Sequence, residues 1–303
     1  MTAYYKKFKI LTVLRKAFGD FRKNDPLRMA GATAFFTTFA LPAVLIILIQ
    51  VFGLVLSPRF MTRQLFFNIG EIVGKNTAGE LHKTLYNVRH QLFRNWYEAT
   101  LTFLFMIFVA TTLFKVIKDS LNQLWNIRTG VKPGIKYQLL NRAKSFLVIL
   151  VAGLLFLLVL LAEGGMDLLQ QNAGDQPLFH GFLAKAVVRQ LISIILVTIW
   201  FSILFKFLPD GRPSWKTVFA GAVFTGLLFS VGKLLLQWLL SYSSMQTIYG
   251  ASTSSVLLLL FVFYSSFIFY YGACFTKVWA EIQNKPIPPA KHAEKYEWSQ
   301  VAV

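Results

Sequence analysis

Glu163, Arg189 and Lys233 each interrupt a long apolar run, which makes them the first residues to ask chemistry of. A helix rises 1.5 Å per residue, so Glu163, 18 residues beyond Ser145, lies about 27 Å along its helix. Arg189 lies 18 residues from Phe207, again about 27 Å, and Lys233 lies 16 residues beyond Thr217, about 24 Å. If these helices cross a membrane, all three charges reach one level near the outer edge of the hydrocarbon. A charge there is costly unless it snorkels to the interface or finds a partner. Two readings stay open. In the first, Glu163 or Asp167, one turn later, pairs with Arg189 or Lys233 and ties the outer half together. In the second, Arg189 and Lys233 face an outward cavity that accepts an anionic group, with Glu163 and Asp167 beside them.

A second group lies at the start of the last apolar run. Ser252, Thr253, Ser254 and Ser255 follow Gly250 and put hydroxyls where a helix leaves its first N–H groups free. Such an end is a possible seat for an anion, although capping by Ser or Thr is the ordinary use of these residues. Tyr264, Ser265, Ser266, Tyr270 and Tyr271 continue the polar character along that helix, and in lipid such hydroxyls usually face other helices or a cavity. Pro42 falls mid-way through the first apolar run. It removes a backbone hydrogen bond and marks a kink, either a hinge or a static bend.

Catalysis finds little in the sequence. The four histidines, His82, His90, His180 and His292, form no HExxH motif and accompany only one cysteine, Cys274, so a zinc site lacks ligands. No GxxxxGK[ST] loop is present to cradle a nucleotide. Glu163 and Asp167 are the only close carboxylate pair singled out, too few for a metal-dependent nuclease. The expectation is a protein that is not an enzyme and needs no cofactor or metal.

The elements that carry these residues follow from composition. Hydrophobic residues make up 55% of the 303 and charged residues 15%, against a soluble norm of about 45–50% and about 25%. Disorder is excluded by the apolar content, and a disulfide scaffold by the single cysteine. Six runs reach the ~20 apolar residues that a helix needs to cross a bilayer, at about 30–56, 99–117, 145–169, 186–208, 217–240 and 251–279. The reading is an all-α integral membrane protein, a bundle of six transmembrane helices with amphipathic helices in the N-terminal arm and in the 57–97 loop. Residues 1–29 form the arm, 30–281 the membrane domain and 282–303 a tail. The arm either lies on an anionic leaflet or packs against the base of the bundle. In the loop, Leu81, Leu85, Val88 and Leu92 recur at helical spacing.

Net charge is +18. Of the 31 Lys and Arg, 22 fall in the arm, in 115–144, in 206–216 and from Lys277 onward, which alternate spans place on one side. The positive-inside rule puts that side, with both termini, in the cytoplasm. The basic charge is therefore read as topology, and no nucleic-acid partner is expected.

Four segments then carry a resemblance: Ser120-Leu-Asn-Gln-Leu-Trp125, Leu208-Pro-Asp-Gly-Arg-Pro-Ser-Trp215 leading to Gly221-Ala222, Tyr249-Gly-Ala-Ser with Tyr264-Ser265 and Gly272-Ala273, and Leu41-Pro42 in the first run. Together they resemble the YihY/BrkB family of bacterial inner-membrane proteins over roughly residues 20–285. The resemblance implies six helices with cytoplasmic termini. The family bears an old ribonuclease label, and envelope lipid or solute export is suggested for it. Its usual carboxylate after the last Gly-Ala is Cys274 here, and its first-span Tyr and Ser are Phe35 and about Phe39. The expectation drawn is an inner-membrane transporter or exporter of a lipid-related or other anionic amphiphile without an ATPase of its own. The alternative is an adaptor that scaffolds cell-envelope machinery. Membrane lipids are the expected partners, with envelope proteins as further candidates. The sequence leaves oligomeric state open.

Overall fold

The computed structural model describes residues 2–52, 96–130, 182–241 and 253–296 continuously, with scattered helical positions between 62 and 86 and between 140 and 155. The described chain forms α1 (Thr2–Lys23), α2 (Pro26–Phe52), α3 (Trp96–Leu124), α4 (Phe182–Phe207), α5 (Trp215–Ser241) and α6 (Thr253–Ile282). Two short strands, β1 (Ile127–Thr129) and β2 (Ala293–Lys295), pair antiparallel. Four stretches are long and apolar enough to cross a membrane: Pro26–Ile49, Thr100–Leu124, Trp215–Leu235 and Ser255–Ile282. A shorter apolar stretch, Ser193–Phe207, lies in α4. These fall on the first, second, fifth, sixth and fourth expected spans. The third, expected over 145–169, lies largely outside the described residues. The fold is an all-α membrane protein.

Helix α6 is the central element, packing against α2, α5, α1 and α3, while α2 also meets α3 and α4 meets α5. The α5/α6 seam is built from two matched notches. Thr225 of α5 bonds back to Gly221 O at 2.7 Å, and Thr276 of α6 bonds back to Gly272 O at 2.8 Å. Each threonine faces the other helix's glycine, where a Cβ would collide with its Oγ1. Back-bonding satisfies the hydroxyls inside the bundle, and the absent Cβ atoms let the backbones approach. Rings pack around it: Phe205 of α4 stacks on Phe269 at 5.1 Å and Phe224 on Phe275 at 4.2 Å. Offset aromatic pairs add to area burial.

The N-terminal arm packs against the bundle. Val13, Ala17 and Phe21, spaced by four, are fully buried, and Phe21 meets Phe267 and Tyr271 of α6. A sharp turn then starts α2. Asp25 takes φ 51°, a conformation Asp tolerates better than most residues. Pro26 follows as the first helical residue, where its missing N–H costs nothing. A second face of α1 stays exposed, with Ile10, Leu11 and Phe18. Helix α2 runs unbroken through Pro42. Most of the 57–97 loop lies outside the described residues, but its Phe66 packs on the Ala43–Ile46 patch of α2 and on the His82 ring at 4.8 Å. The segment after Ile282, expected as a tail, turns back as far as Tyr296 along the same end of the bundle as α1. Its backbone has bonding partners there: β1, and Gly211 opposite Pro289.

Candidate functional site

The described polar groups gather at two levels. At the base, the end that carries α1 and β2, Lys118 and Asn122 lie one turn apart on α3 and project from one face. Asp210 stands in the loop between α4 and α5. Lys118 Nζ lies 2.9 Å from Asp210 Oδ1, and the two side chains are 9% and 3% exposed. Asn122 grips the same residue twice: its Nδ2 donates to Asp210 Oδ2 at 3.0 Å, and its Oδ1 accepts from Asp210 N–H at 2.8 Å. His292 Nε2 reaches Asp210 Oδ1 at 3.0 Å from the C-terminal return. The Asp210 carbonyl accepts from Ala290 N–H at 2.7 Å. Burial alone would raise the Asp210 carboxyl. The hydrogen bonds from Lys118 and His292, the Lys118 charge and the Asn122 amide outweigh it and hold the carboxyl below its ordinary value.

Local sequence explains why this loop sits where it does. Leu208 and Pro209 close α4, and Ser214 caps α5, with its Oγ 2.9 Å from Thr217 Oγ1 and its carbonyl accepting from Val218 N–H at 3.0 Å. Gly211 is pressed against Trp125, and a Cβ there would come within 2.6 Å of that ring. Trp125 is itself fixed, donating from Nε1 to Ala273 O of α6 at 3.0 Å. Nearby, Thr33 and Tyr270 share a hydrogen bond of 2.6 Å between α2 and α6. Lys277 reaches Asp20 at 3.3 Å, joining α6 to α1. The base is a closed network whose chemistry is to hold helices together.

The other level lies further along the α5/α6 seam. Tyr264 of α6 points at α5, where a Cβ on Gly232 would coincide with its hydroxyl. That hydroxyl is buried and has no hydrogen-bond partner among the described residues. Lys233, the next residue of α5, is half-buried, and Val231, Leu234 and Leu235 beside it are exposed. Lys233 makes no ion pair shown among the described residues. The seam thus combines a cation, an unsatisfied hydroxyl and an apolar outer surface.

The sequence-derived candidates are placed unevenly. Glu163, Asp167 and Ser252 lie outside the described residues. Arg189 falls in α4, with its side chain outside what is described. Thr253 is the first residue of α6 and buried, Ser254 follows it in the helix, and Ser255 is exposed. Pro42 lies inside α2 without ending it. Cys274, at the position of the expected carboxylate, is a free and fully buried thiol. Of the outer-level ion pairs considered, only the Lys233 side is described. Sequence reasoning missed the base network. Lys118 was counted only as a topology charge and His292 only as an isolated histidine. Asn122 and Asp210 stood in the two motifs quoted above, and their polarity at helix ends was the available signal.

The family model described as "Virulence factor BrkB" matches residues 17–297. The chain belongs to this family. The match includes α2 to β2 and therefore both levels. Among curated relatives, a UPF0761 membrane protein of Histophilus somni (strain 129Pt) is 24% identical over 271 residues, 87% of this chain and 88% of the relative. A UPF0761 membrane protein of Pseudoalteromonas translucida (strain TAC 125) is 26% identical over 176 residues, 56% of this chain and 54% of the relative. No solved structure matches the chain. Membership in the BrkB family and the apolar helices agree on a multi-pass membrane protein.

Proposed function

We propose that this BrkB-family protein moves an anionic, lipid-related amphiphile across the bacterial inner membrane, with both termini in the cytoplasm and without an ATPase of its own. The observation that carries this reading is the Tyr264 hydroxyl, buried beside Gly232 and Lys233 with no hydrogen-bond partner among the described residues. A buried polar atom left unmade costs about 1–3 kcal/mol and calls for an explanation. A cation in a membrane-spanning stretch is a functional candidate by default. An amphiphile answers both: its anionic head accepts from Tyr264 and Lys233, and its chains lie on exposed Val231, Leu234 and Leu235. The base network acts as the fixed frame against which the seam opens. Arg189 would add a second cation at the same level.

The test is translocation of a fluorescent phospholipid in proteoliposomes, read by quenching from outside. Wild-type protein should expose the inner-leaflet pool faster than empty vesicles do. Tyr264→Phe and Lys233→Gln should each slow it several-fold with no fall in melting temperature. A wild-type rate equal to that of empty vesicles overturns the reading. The adaptor alternative draws on the exposed Leu11 and Phe18 of α1, which lie beside exposed Arg15 and Lys16. It predicts loss of envelope-protein association on replacing Leu11 and Phe18 by Ser, with no translocation to lose.

A further inference from the structure

A pocket of about 590 Å³ opens at the base between the first turn of α2, the last turn of α3, β1 and the end of the C-terminal return. That volume lies within the range of small-molecule sites. Its position is as informative as its size. Arg28 belongs to the start of the Pro26–Ile49 span, and Gln123 to the end of Thr100–Leu124. The pocket therefore sits where a bilayer places its lipid headgroups.

Its lining is suited to such a group. Arg28 and Arg128 bring two guanidiniums, the side chains best shaped to fork onto phosphate oxygens. Arg28 is exposed and held by Gln123, whose Oε1 accepts from Nη2 at 3.3 Å. Arg128 is exposed and only loosely engaged, 4.0 Å from Glu294. Thr129 and Tyr296 supply hydroxyls. Burial raises the Tyr296 phenol above its usual range, so it stays neutral, with its O–H directed at Gln123 O at 3.5 Å. Asp119 adds one carboxylate to the same wall, with Lys115 and Lys118 as electrostatic neighbours on its own helix. Two cations for a phosphate and one anion for an ammonium describe a zwitterionic head. Basic pockets between membrane helices are a known form of headgroup recognition.

We infer that this pocket binds the headgroup of an aminophospholipid, with Arg28 and Arg128 on the phosphate and Asp119 on the primary ammonium. The site is separate from the Tyr264 seam and does not depend on the transport reading. It would seat one lipid against the frame of the protein at the base.

Native mass spectrometry of the full-length protein in detergent, titrated with phosphatidylethanolamine or phosphatidylglycerol, tests it. Wild type should retain one tightly held phosphatidylethanolamine per chain. The Arg28→Gln/Arg128→Gln double variant should lower its occupancy at least ten-fold, and Arg28→Lys/Arg128→Lys, which keeps the charge but loses the fork, should fall between that variant and wild type. A Lys285→Gln/Lys291→Gln variant, removing exposed base charge outside the pocket, should bind as wild type does. Asp119→Asn should shift preference toward phosphatidylglycerol at least three-fold. Unaltered occupancy in the double glutamine variant overturns the site, provided that variant keeps the wild-type melting temperature, as two exposed positions should allow. Unaltered preference in Asp119→Asn overturns the ammonium assignment. Full displacement by soluble glycerophosphoethanolamine would overturn the membrane source of the ligand.

Discussion

The base and the Tyr264 seam treat buried polarity in opposite ways. At the base, both Asp210 carboxylate oxygens, its N–H and its carbonyl all have partners within 3.0 Å. At the seam, Tyr264 keeps a hydroxyl from water, and no described residue bonds it. In a low-dielectric interior a fully satisfied network fixes geometry, whereas an unsatisfied group stores free energy that a ligand can release. Under the proposed function, the contrast makes the Asp210 network the frame and the seam the place where the transported amphiphile binds. The Gly–Thr notches between the two levels let α5 and α6 share one close contact.

The largest expected effect comes from breaking the base. Asp210→Ala leaves Lys118 buried without its counter-ion, and removing one partner of such a pair costs about 3–5 kcal/mol. A large fall in melting temperature in detergent should follow. Asp210→Asn should cost less, because its amide oxygen can still accept from Asn122 Nδ2. Acid provides a second handle. The folded carboxyl lies below its unfolded value, so its contribution to stability is fully present above the unfolded value of about 4. It is lost as pH falls through the lower folded value. Wild-type stability should therefore drop below about pH 4 more steeply than that of Asp210→Asn. Equal slopes, followed by thermal melts across pH, would remove Asp210 from the account.

Much of this architecture was legible in the sequence because spanning length and apolar content are local properties. The stretches containing α2, α3, α5 and α6 could be counted without knowing what packs on what. The base network was not legible, for a physical reason. Its four side chains come from α3, the α4–α5 loop and the C-terminal return, and a single sequence does not say which loops meet. The fold-back of 283–296 was missed likewise, since a three-residue strand such as Ala293–Lys295 carries no usable period of its own. The candidate site was half legible. Lys233 stood out as a charge in an apolar run, and Tyr264 was noted among several hydroxyls. Only the packing against Gly232 separates Tyr264 from Thr225 or Ser265, which bond back to their own helix.

The next effect in size concerns the seam itself. Gly272→Val should force α5 and α6 apart against Thr225, an overpacking that costs about 1–3 kcal/mol. Adding Thr225→Ala should recover part of the loss, a coupling that a double-mutant cycle measures directly. Simple additivity would mean that the notch is not the contact that matters. Tyr264→Phe runs the other way. It deletes a hydroxyl with no partner among the described residues while keeping the ring, so stability should hold or rise by about 1 kcal/mol. A clear fall would show that the hydroxyl has a partner in the folded protein, and the contrast between the two levels would weaken.

The smallest effect belongs to the Lys16–Glu281 pair, which ties α1 to the end of α6 at 3.0 Å. Its lysine is 52% exposed, so water and salt screen it and its worth is about 0.2–1 kcal/mol. Glu281→Gln should therefore shift the melting temperature barely, and high salt should abolish even that difference. Phe21→Ala, which empties a buried ring site on the same α1–α6 contact, should cost about 3–5 kcal/mol. If α1 is held by its apolar face, the two variants differ several-fold. If they cost the same, surface charge holds the arm, and the base is a weaker frame than its closed network implies.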